Sequence, residues 1–515
     1  MSVKRSSTTV TLHTPAAGQC YHERLPGMTG AFSRIRSTES QNTLVGVLMA
    51  SLPSPSSTSV IRPLGYQKKL SCGYCKESTG NSSYYATSSN MKVEHYQALV
   101  DRGWRRSGHT YYKPDLTRSC CPHYTIRLDA DKFRASKSQR RAINRWNRYV
   151  LGSEYMSKVS KLYPRSREEK QRRRKSSFDL EAAVHASEYA SLQRPVDPRT
   201  KISIEPAHKF EVNLESDSFS NEKWDVFLPY QMTIHKEAES RWSHASFKRF
   251  LCSGLDQKII KSKGVARKLG TYHQCYRLDG KLIAVGVLDL LPHGVSSVYL
   301  FYDPEWEDWE LGKLSALREI ALTREAHYQY YYMGYYIPSC IKMRYKGSYW
   351  PTYVLDPESL DWNLLDTDLR KNLDTHHYFS LSGNNKRNQN VLEANGTAEA
   401  SPAPVIPKPE PDIDYTSLEV DSEDDSVDET EIPPGSLFDY HVPGILSQEE
   451  VEKLKLDKWK FLLRNGFVEM EDLKGWERGK LTDPQSLKGI AAELAAALGP
   501  EVVKGGSAVN LFYDG

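Results

Sequence analysis

The chain has 515 residues, 69 Lys and Arg against 65 Asp and Glu, and a net charge of only +4, a length that allows two or three hydrophobic cores. The small net charge conceals segregation, with basic residues crowding 134–175 and acidic ones 410–431. Eight cysteines in so long a chain argue against a disulfide scaffold, and no apolar run approaches the roughly eighteen residues of a membrane span, so a soluble protein of a reducing compartment is expected, cytoplasmic or also nuclear.

Residues 1–63 are rich in Ser, Thr and Pro and show no sustained period, which predicts a disordered segment. Its scattered arginines suit a transit peptide, but Glu23 and Glu39 interrupt it and no amphipathic face forms. From 64 to 151 a compact cysteine-bearing domain is expected: a loop over 72–85, a helical period through Val93, Tyr96, Leu99 and Val100 that Gly103 ends, and a strand over 124–128. Residues 152–209 are polar, dominated by the charges of 165–175, and read as a basic linker or insertion with a short helix near 179–192.

A second domain is expected over 210–389. A strand at 272–278, the turn Asp279-Gly280 and a long strand at 281–291 make a hairpin. A strand at 297–302 stops at Asp303-Pro304, because proline has no donor for the ladder. Leu311, Leu314, Leu317, Ala321 and Leu322 recur at helical spacing, and the aromatic strand 329–337 follows. This order matches the centre of the N-acetyltransferase fold, in which an acyl donor binds where two neighbouring strands splay apart. Coenzyme A is not expected, since the turn before the helix, Glu307 to Lys313, is acidic and holds one glycine. Residues 390–436 form an acidic, disordered linker, and 437–515 a small helical tail with a cap at Ser447 and Glu450 and an alanine-rich helix over 487–498. The fold class is thus α/β of the α+β kind: a small cysteine-bearing metal-binding N-terminal domain followed by an N-acetyltransferase-like mixed α/β domain, with disordered termini and linker.

Two features carry chemistry. Cys72 and Cys75 have the spacing at which both sulfurs of a tight turn face one ion, and Cys120 with Cys121 completes a four-thiolate set, with His109 or His123 as substitutes for one thiol. All-thiolate sites select zinc or an iron-sulfur cluster, [4Fe-4S] foremost. The second feature is a basic stretch in which Arg141, Arg145 and Arg148 align on one side of a helix near Trp146 and Tyr149, a face that suits phosphates and unpaired bases. A solvated basic face or an import signal is the plainer reading.

The run from Cys72-Gly73-Tyr74-Cys75 through Asp101-Arg102-Gly103-Trp104-Arg105-Arg106-Ser107-Gly108, Cys120-Cys121-Pro122 and Ser136-Lys137-Ser138-Gln139-Arg140-Arg141 resembles the amino-terminal part of eukaryotic arginyl-tRNA protein transferases. Ser297-Val298-Tyr299-Leu300-Phe301-Tyr302-Asp303-Pro304, Ser315-Ala316-Leu317-Arg318-Glu319-Ile320 and Lys342-Met343-Arg344-Tyr345-Lys346-Gly347 resemble the carboxy-terminal part. Pro338 departs from the pattern, which has histidine there. The resemblance implies an arginyltransferase acting on arginyl-tRNA and on acceptor proteins with N-terminal Asp, Glu or oxidised Cys, which marks them for N-degron degradation. It requires no coenzyme A and no membrane, and a monomer is expected. A metal-stabilised RNA-binding protein with a non-catalytic acetyltransferase-like domain is the competing reading.

The implied reaction assigns roles to residues as follows. Asp289 or Asp303 would receive the donor guanidinium. Arg344 and Lys346, with His273 or His235 behind them, would bind the acceptor carboxylate. Tyr299, Tyr302 and Tyr332 would donate to the oxyanion or relay a proton. Lys137, Arg140, Arg141, Arg145 and Arg148 would hold tRNA.

Overall fold

The computed structural model describes residues 58–262, 265–394, 435–464 and 466–511. Most of the expected disordered segment 1–63 and of the acidic linker 390–436 lies outside the described residues, although the first strand already opens at Val60. In chain order the strands are β1 (Val60–Leu70), β2 (Asn81–Thr87), β3 (Arg105–Ser107), β4 (Thr110–Pro114), β5 (Tyr124–Asp129), β6 (Phe210–Ser216), β7 (Lys258–Ser262), β8 (Val265–Leu278), β9 (Lys281–Leu290), β10 (Gly294–Tyr302), β11 (Tyr330–Tyr336), β12 (Thr352–Leu355), β13 (Trp362–Leu364), β14 (Lys460–Leu463), β15 (Gly466–Glu469) and β16 (Ala508–Val509).

Local chemistry sets the centre of the fold. Asp279 and Gly280 both take positive φ, 52° and 85°, the backbone that a two-residue hairpin requires, and they join β8 to β9 as expected. Strand β10 pairs antiparallel with β9 but parallel with β11. Parallel neighbours need a crossover, which the helix Leu311–Glu325 supplies by burying Leu317, Ile320 and Ala321 against the sheet. The parallel pairing lasts for three positions, Gly294 to Ser296 against Tyr330 to Tyr332, and beyond it the two strands diverge. This is the splayed pair that the acetyltransferase-like reading anticipates.

Two sheets result among the described residues. The larger runs β13-β12-β5-β11-β10-β9-β8-β6, with β7 added on β8, and the smaller runs β15-β14-β16-β1-β2-β4-β3. Two expected boundaries are corrected here. Strand β5 was expected inside the cysteine domain, but it lies between β11 and β12, so the chain's two halves share one sheet and no separate core closes at residue 151. Ile126 and Leu128 are fully buried, and the open edge of β11 offers their strand the hydrogen bonds that the smaller sheet does not.

The tail is likewise no helical appendage. β14, β15 and β16 extend the smaller sheet, with β16 parallel to β1. The helix Leu487–Leu498 lays Ala491, Ala495 and Leu498 into the same core as Trp104, whose indole N–H donates to the Ala497 carbonyl at 2.9 Å. Within 152–209, the helix Lys137–Leu162 runs on past a break at Gly152, Ser166 caps Arg167–Lys175, and Leu180–His185 packs on the crossover helix. The short helix expected near 179–192 is Leu180–His185, and the segment holds further helical turns beside it.

Candidate active site and metal centre

The splay of β10 and β11 opens a small cleft. Ser296, Ser297 and Val298 form one wall and Gly334 and Tyr335 the other, while Arg105 and Arg106 on β3, Tyr74, Tyr96, Met343 and Lys346 close it. β11 carries an irregularity between Tyr332 and Tyr335 in its pairing with β5, and Gly334 sits there at φ 82°. The carbonyls of Met333 and Gly334, out of step with the ladder, accept instead from Lys346 Nζ (2.9 Å) and Arg105 (3.3 Å). Among the described residues no carboxylate lines the cleft.

The cysteine centre lies behind one wall of that cleft, with Tyr74, Tyr335 and Met343 between them. The Sγ atoms of Cys72, Cys75, Cys120 and Cys121 all lie within 4.8 Å of one another, with Cys75 and Cys120 at 3.2 Å. Tight backbone bonds build the loop: Cys72 N–H donates to the Glu77 carbonyl at 2.7 Å, and Cys120 N–H to the Gly80 carbonyl at 2.7 Å. Gly80 is required, since a Cβ there would stand 2.4 Å from Cys120 Sγ. Burial, then the nearby Cys72 and Cys75 sulfurs, push the Cys121 thiol up to about 12, as expected of crowded thiols that only a cation can let ionise together. Tyr335 and Met343 pack on this cluster and also line the cleft. His123 is no substitute ligand: its ring sits between Tyr74 and Tyr335, and burial pushes its pKa down to about 3.

The expected site residues lie as follows. Asp289, assigned to the donor guanidinium, is 0% exposed and already held by a guanidinium of this chain, with Arg106 reaching it at 2.5 and 2.8 Å and Thr271 at 2.6 Å. Asp303 sits at the strand end outside the cleft, caps the turn at Glu305 and pairs with Lys281 at 2.8 Å. Tyr299 and Tyr302 face the aromatic core beneath the helix Asn221–Ile234, where Tyr299 bonds Gln231 and His235 at 2.9 and 3.2 Å. His235 is thereby tied to that core rather than to the cleft. Tyr332 points to the helix Val93–Val100 and donates to Asp101 at 2.8 Å. His273 is buried against the Leu251 carbonyl at 3.0 Å, and burial pushes its pKa down to about 3. Arg344 bonds the Pro338 carbonyl at 2.9 Å. Among the expected substrate residues, the cleft lining retains Lys346 alone. For most of them a partner distant in sequence claims the side chain, whereas Arg344 is held by Pro338, six residues before it.

The basic helix forms as expected, capped by Ser136 and Gln139 in a capping box. Lys137, Arg141, Arg145 and Arg148 are exposed on it and Arg140 is half-buried. Arg140 borders a second, larger recess with Lys132, Arg134 and the exposed Trp350, and Arg145 lies over Trp309 at 4.5 Å. Trp146 does not offer itself for base stacking: it is buried among Phe210, Trp306 and Trp309.

Residues 70–141 match the family described as arginine-tRNA-protein transferase, N terminus, and residues 222–356 match its C-terminus counterpart. The chain belongs to the arginyl-tRNA–protein transferase family. It is 32% identical to arginyl-tRNA–protein transferase 1 of Saccharomyces cerevisiae over 50% of this chain and 48% of that one, so it spans about half the length of the yeast relative. It is 29% identical to the Drosophila melanogaster protein of the same name over 63% of this chain and 86% of the relative. A more distant relative, the aspartate/glutamate leucyltransferase of Pseudomonas fluorescens strain Pf0-1, is 27% identical over 55% of this chain and 90% of its own. The family is one of aminoacyltransferases.

Within the family frame, three features went unassigned by sequence reasoning. Arg105 and Arg106 are adjacent in one motif, yet Arg106 is neutralised by Asp289 while Arg105 has no carboxylate partner among the described residues. Ser296 and Ser297 line the splay, and the Ser297 hydroxyl is engaged with Glu319 and Tyr331. Glu319 is buried behind them, where Tyr331 donates to it at 2.6 Å and Ser315 also donates, and burial holds its carboxyl above the usual range. The family motif around Glu319 was a signal for this last feature, but its burial was not legible before the helix was placed.

Proposed function

We propose that this chain moves arginine from arginyl-tRNA to the N-terminal α-amine of proteins beginning with Asp, Glu or oxidised Cys, and so marks them for N-degron degradation. The observation that carries this reading is the cleft at the splayed strands, whose cations and lack of any carboxylate suit an acidic first residue, in a chain whose relatives are named for arginyl transfer or for leucyl transfer to aspartate and glutamate. The donor ester is already activated, so neither coenzyme A nor ATP is needed. The α-amine attacks the ester carbonyl, a C–N bond forms, the ester C–O bond to the ribose breaks, and the proton the amine loses ends on the departing ribose oxygen. With a reference pKa near 8, a useful fraction of the amine is neutral at pH 7, so positioning supplies much of the rate. Ser296, on the cleft lining, would supply a hydroxyl donor to a developing oxyanion. The exposed face of Lys137, Arg141, Arg145 and Arg148 suits tRNA phosphates.

The four cysteines would hold the metal. With all four sulfurs within 4.8 Å of one another, the set would hold an iron-sulfur cluster or zinc, the centres that four thiolates select. Such a centre would act by folding the wall that carries Tyr74, Tyr335 and Met343. The test of the whole reading is incubation of the purified chain with charged arginyl-tRNA and an Asp-initiated peptide, read by mass. Addition of one arginine is expected. No addition with retained tRNA binding would replace the reading by the RNA-binding one.

A further inference from the structure

Arg105 is 4% exposed. Buried charges are ordinarily paired, because an uncompensated one costs several kcal/mol of solvation. The neighbouring Arg106 follows that rule through Asp289. Arg105 does not: of its five N–H donors, one reaches the Trp104 carbonyl at 2.8 Å and one the Gly334 carbonyl at 3.3 Å, while Nε is buried with no hydrogen-bond partner. No salt bridge to it exists among the described residues, and its guanidinium lies over the Tyr335 ring at 5.3 Å, on the cleft wall.

The irregularity in β11 explains why the cation is held there. Met333 and Gly334, out of register with β5 and past the end of the β10 pairing, present consecutive carbonyls, one to Lys346 and the other to Arg105. A Cβ on residue 334 would stand 3.5 Å from Lys346 Nζ, and φ 82° there also favours glycine. One strand defect thus fixes two cations beside one cleft that no carboxylate lines.

Resting on the arginyl-transfer reading, we propose that Arg105, seconded by Lys346, is the residue that recognises the anionic first side chain of the acceptor. A short carboxylate entering the splay completes the ion pair that the fold leaves open, and an oxidised cysteine presents the same chemistry. Charge-assisted bonds of this kind discriminate Asp from Asn, whose amide offers no charge and would set N–H donors against N–H donors.

The experiment uses the full chain with its metal. Steady-state transfer from arginyl-tRNA is measured for peptides that begin with Asp, Glu and Asn, in the wild type and in Arg105→Met and Arg105→Lys. Arg105→Met is expected to raise KM for the Asp peptide about 10- to 100-fold, to narrow the Asp-over-Asn preference by the same factor, and to leave KM for arginyl-tRNA near the wild-type value. Arg105→Lys is expected to recover part of the preference. A preference that survives Arg105→Met, or a loss that falls on arginyl-tRNA, overturns the proposal. Melting temperature and metal content verify folding. Should Arg105→Met not fold, Arg105→Lys and equilibrium binding to the wild type decide: the Asp peptide is expected to bind about tenfold or more tighter than the Asn peptide, and equal binding refutes the site. That binding arm needs no turnover, so a wild type that transfers no arginine would sink the proposed function while still judging Arg105.

Discussion

Replacing Asp289 by alanine tests whether this carboxylate belongs to the fold or to the substrate. Both partners of the Arg106–Asp289 pair are buried, at 3% and 0% exposure, and Asp289 also accepts from Thr271, whose hydroxyl oxygen accepts the Leu255 N–H. Removal of one member of such a pair leaves a guanidinium uncompensated in a medium that solvates it poorly, which costs about 3–5 kcal/mol. Set against a typical total stability of roughly 5–15 kcal/mol, that is a large fraction. Asp289→Ala is therefore expected to lower the urea midpoint and the melting temperature markedly. The double variant Arg106→Met with Asp289→Leu is expected to regain most of the loss, since similar apolar side chains replace a buried pair at little net cost. Circular dichroism against urea for the three proteins is the assay. If Asp289→Ala keeps the wild-type midpoint and instead raises KM for arginyl-tRNA alone, the carboxylate is open to the donor and the reasoning fails.

Three further outcomes are expected. Cys72→Ser and Cys121→Ser lower bound metal, read by elemental analysis after anaerobic purification; unchanged content in both excludes the four-thiolate centre. Trp104→Ala removes the side chain on which the helix Leu487–Leu498 closes, costs about 3–5 kcal/mol, and exposes residues 435–511 to limited proteolysis; an unchanged digestion pattern refutes the tail's role in that core. His185, held between Glu188 (2.7 Å) and Glu325 (2.6 Å), has its pKa raised by those bonds from 6.5 to about 9. A raised folded-state pKa adds stability that is fully present below pH 6.5 and disappears as pH rises through about 9, so the wild-type advantage over His185→Gln in melting temperature should shrink across that window. A constant difference from pH 6 to 10 contradicts the ion pair.

Much of the fold was legible because it rests on local rules. The Asp279-Gly280 hairpin, the crossover helix with its apolar stripe, the Ser136 cap and the alanine-rich helix each follow from a few adjacent residues. The four cysteines were legible too, since the spacing of each pair already restricts where its sulfurs can point. The catalytic candidates were not, because a side chain's role depends on what meets it. Asp289 was assigned to a substrate, and a chain neighbour 183 positions earlier had taken it. Tyr299, Tyr302 and Tyr332 were expected to donate to the oxyanion or relay a proton, and they lie against the packed faces of the sheet. Arg105 went unnoticed beside Arg106, because nothing in two consecutive arginines tells which will find a carboxylate.

The amino-acid order by itself pointed to the two cysteine pairs, the hairpin, the crossover helix, the basic helix and the family motifs, whose signals each lie within a few residues or a few turns. Tertiary structure alone decided that β5 enters the other half's sheet, that the tail completes the smaller sheet, and that a register break in β11 lifts two carbonyls toward Arg105 and Lys346. The division has one physical cause. Strand pairing, burial and charge compensation are settled between groups hundreds of residues apart, and their free energies depend on which partner arrives, which no local pattern records.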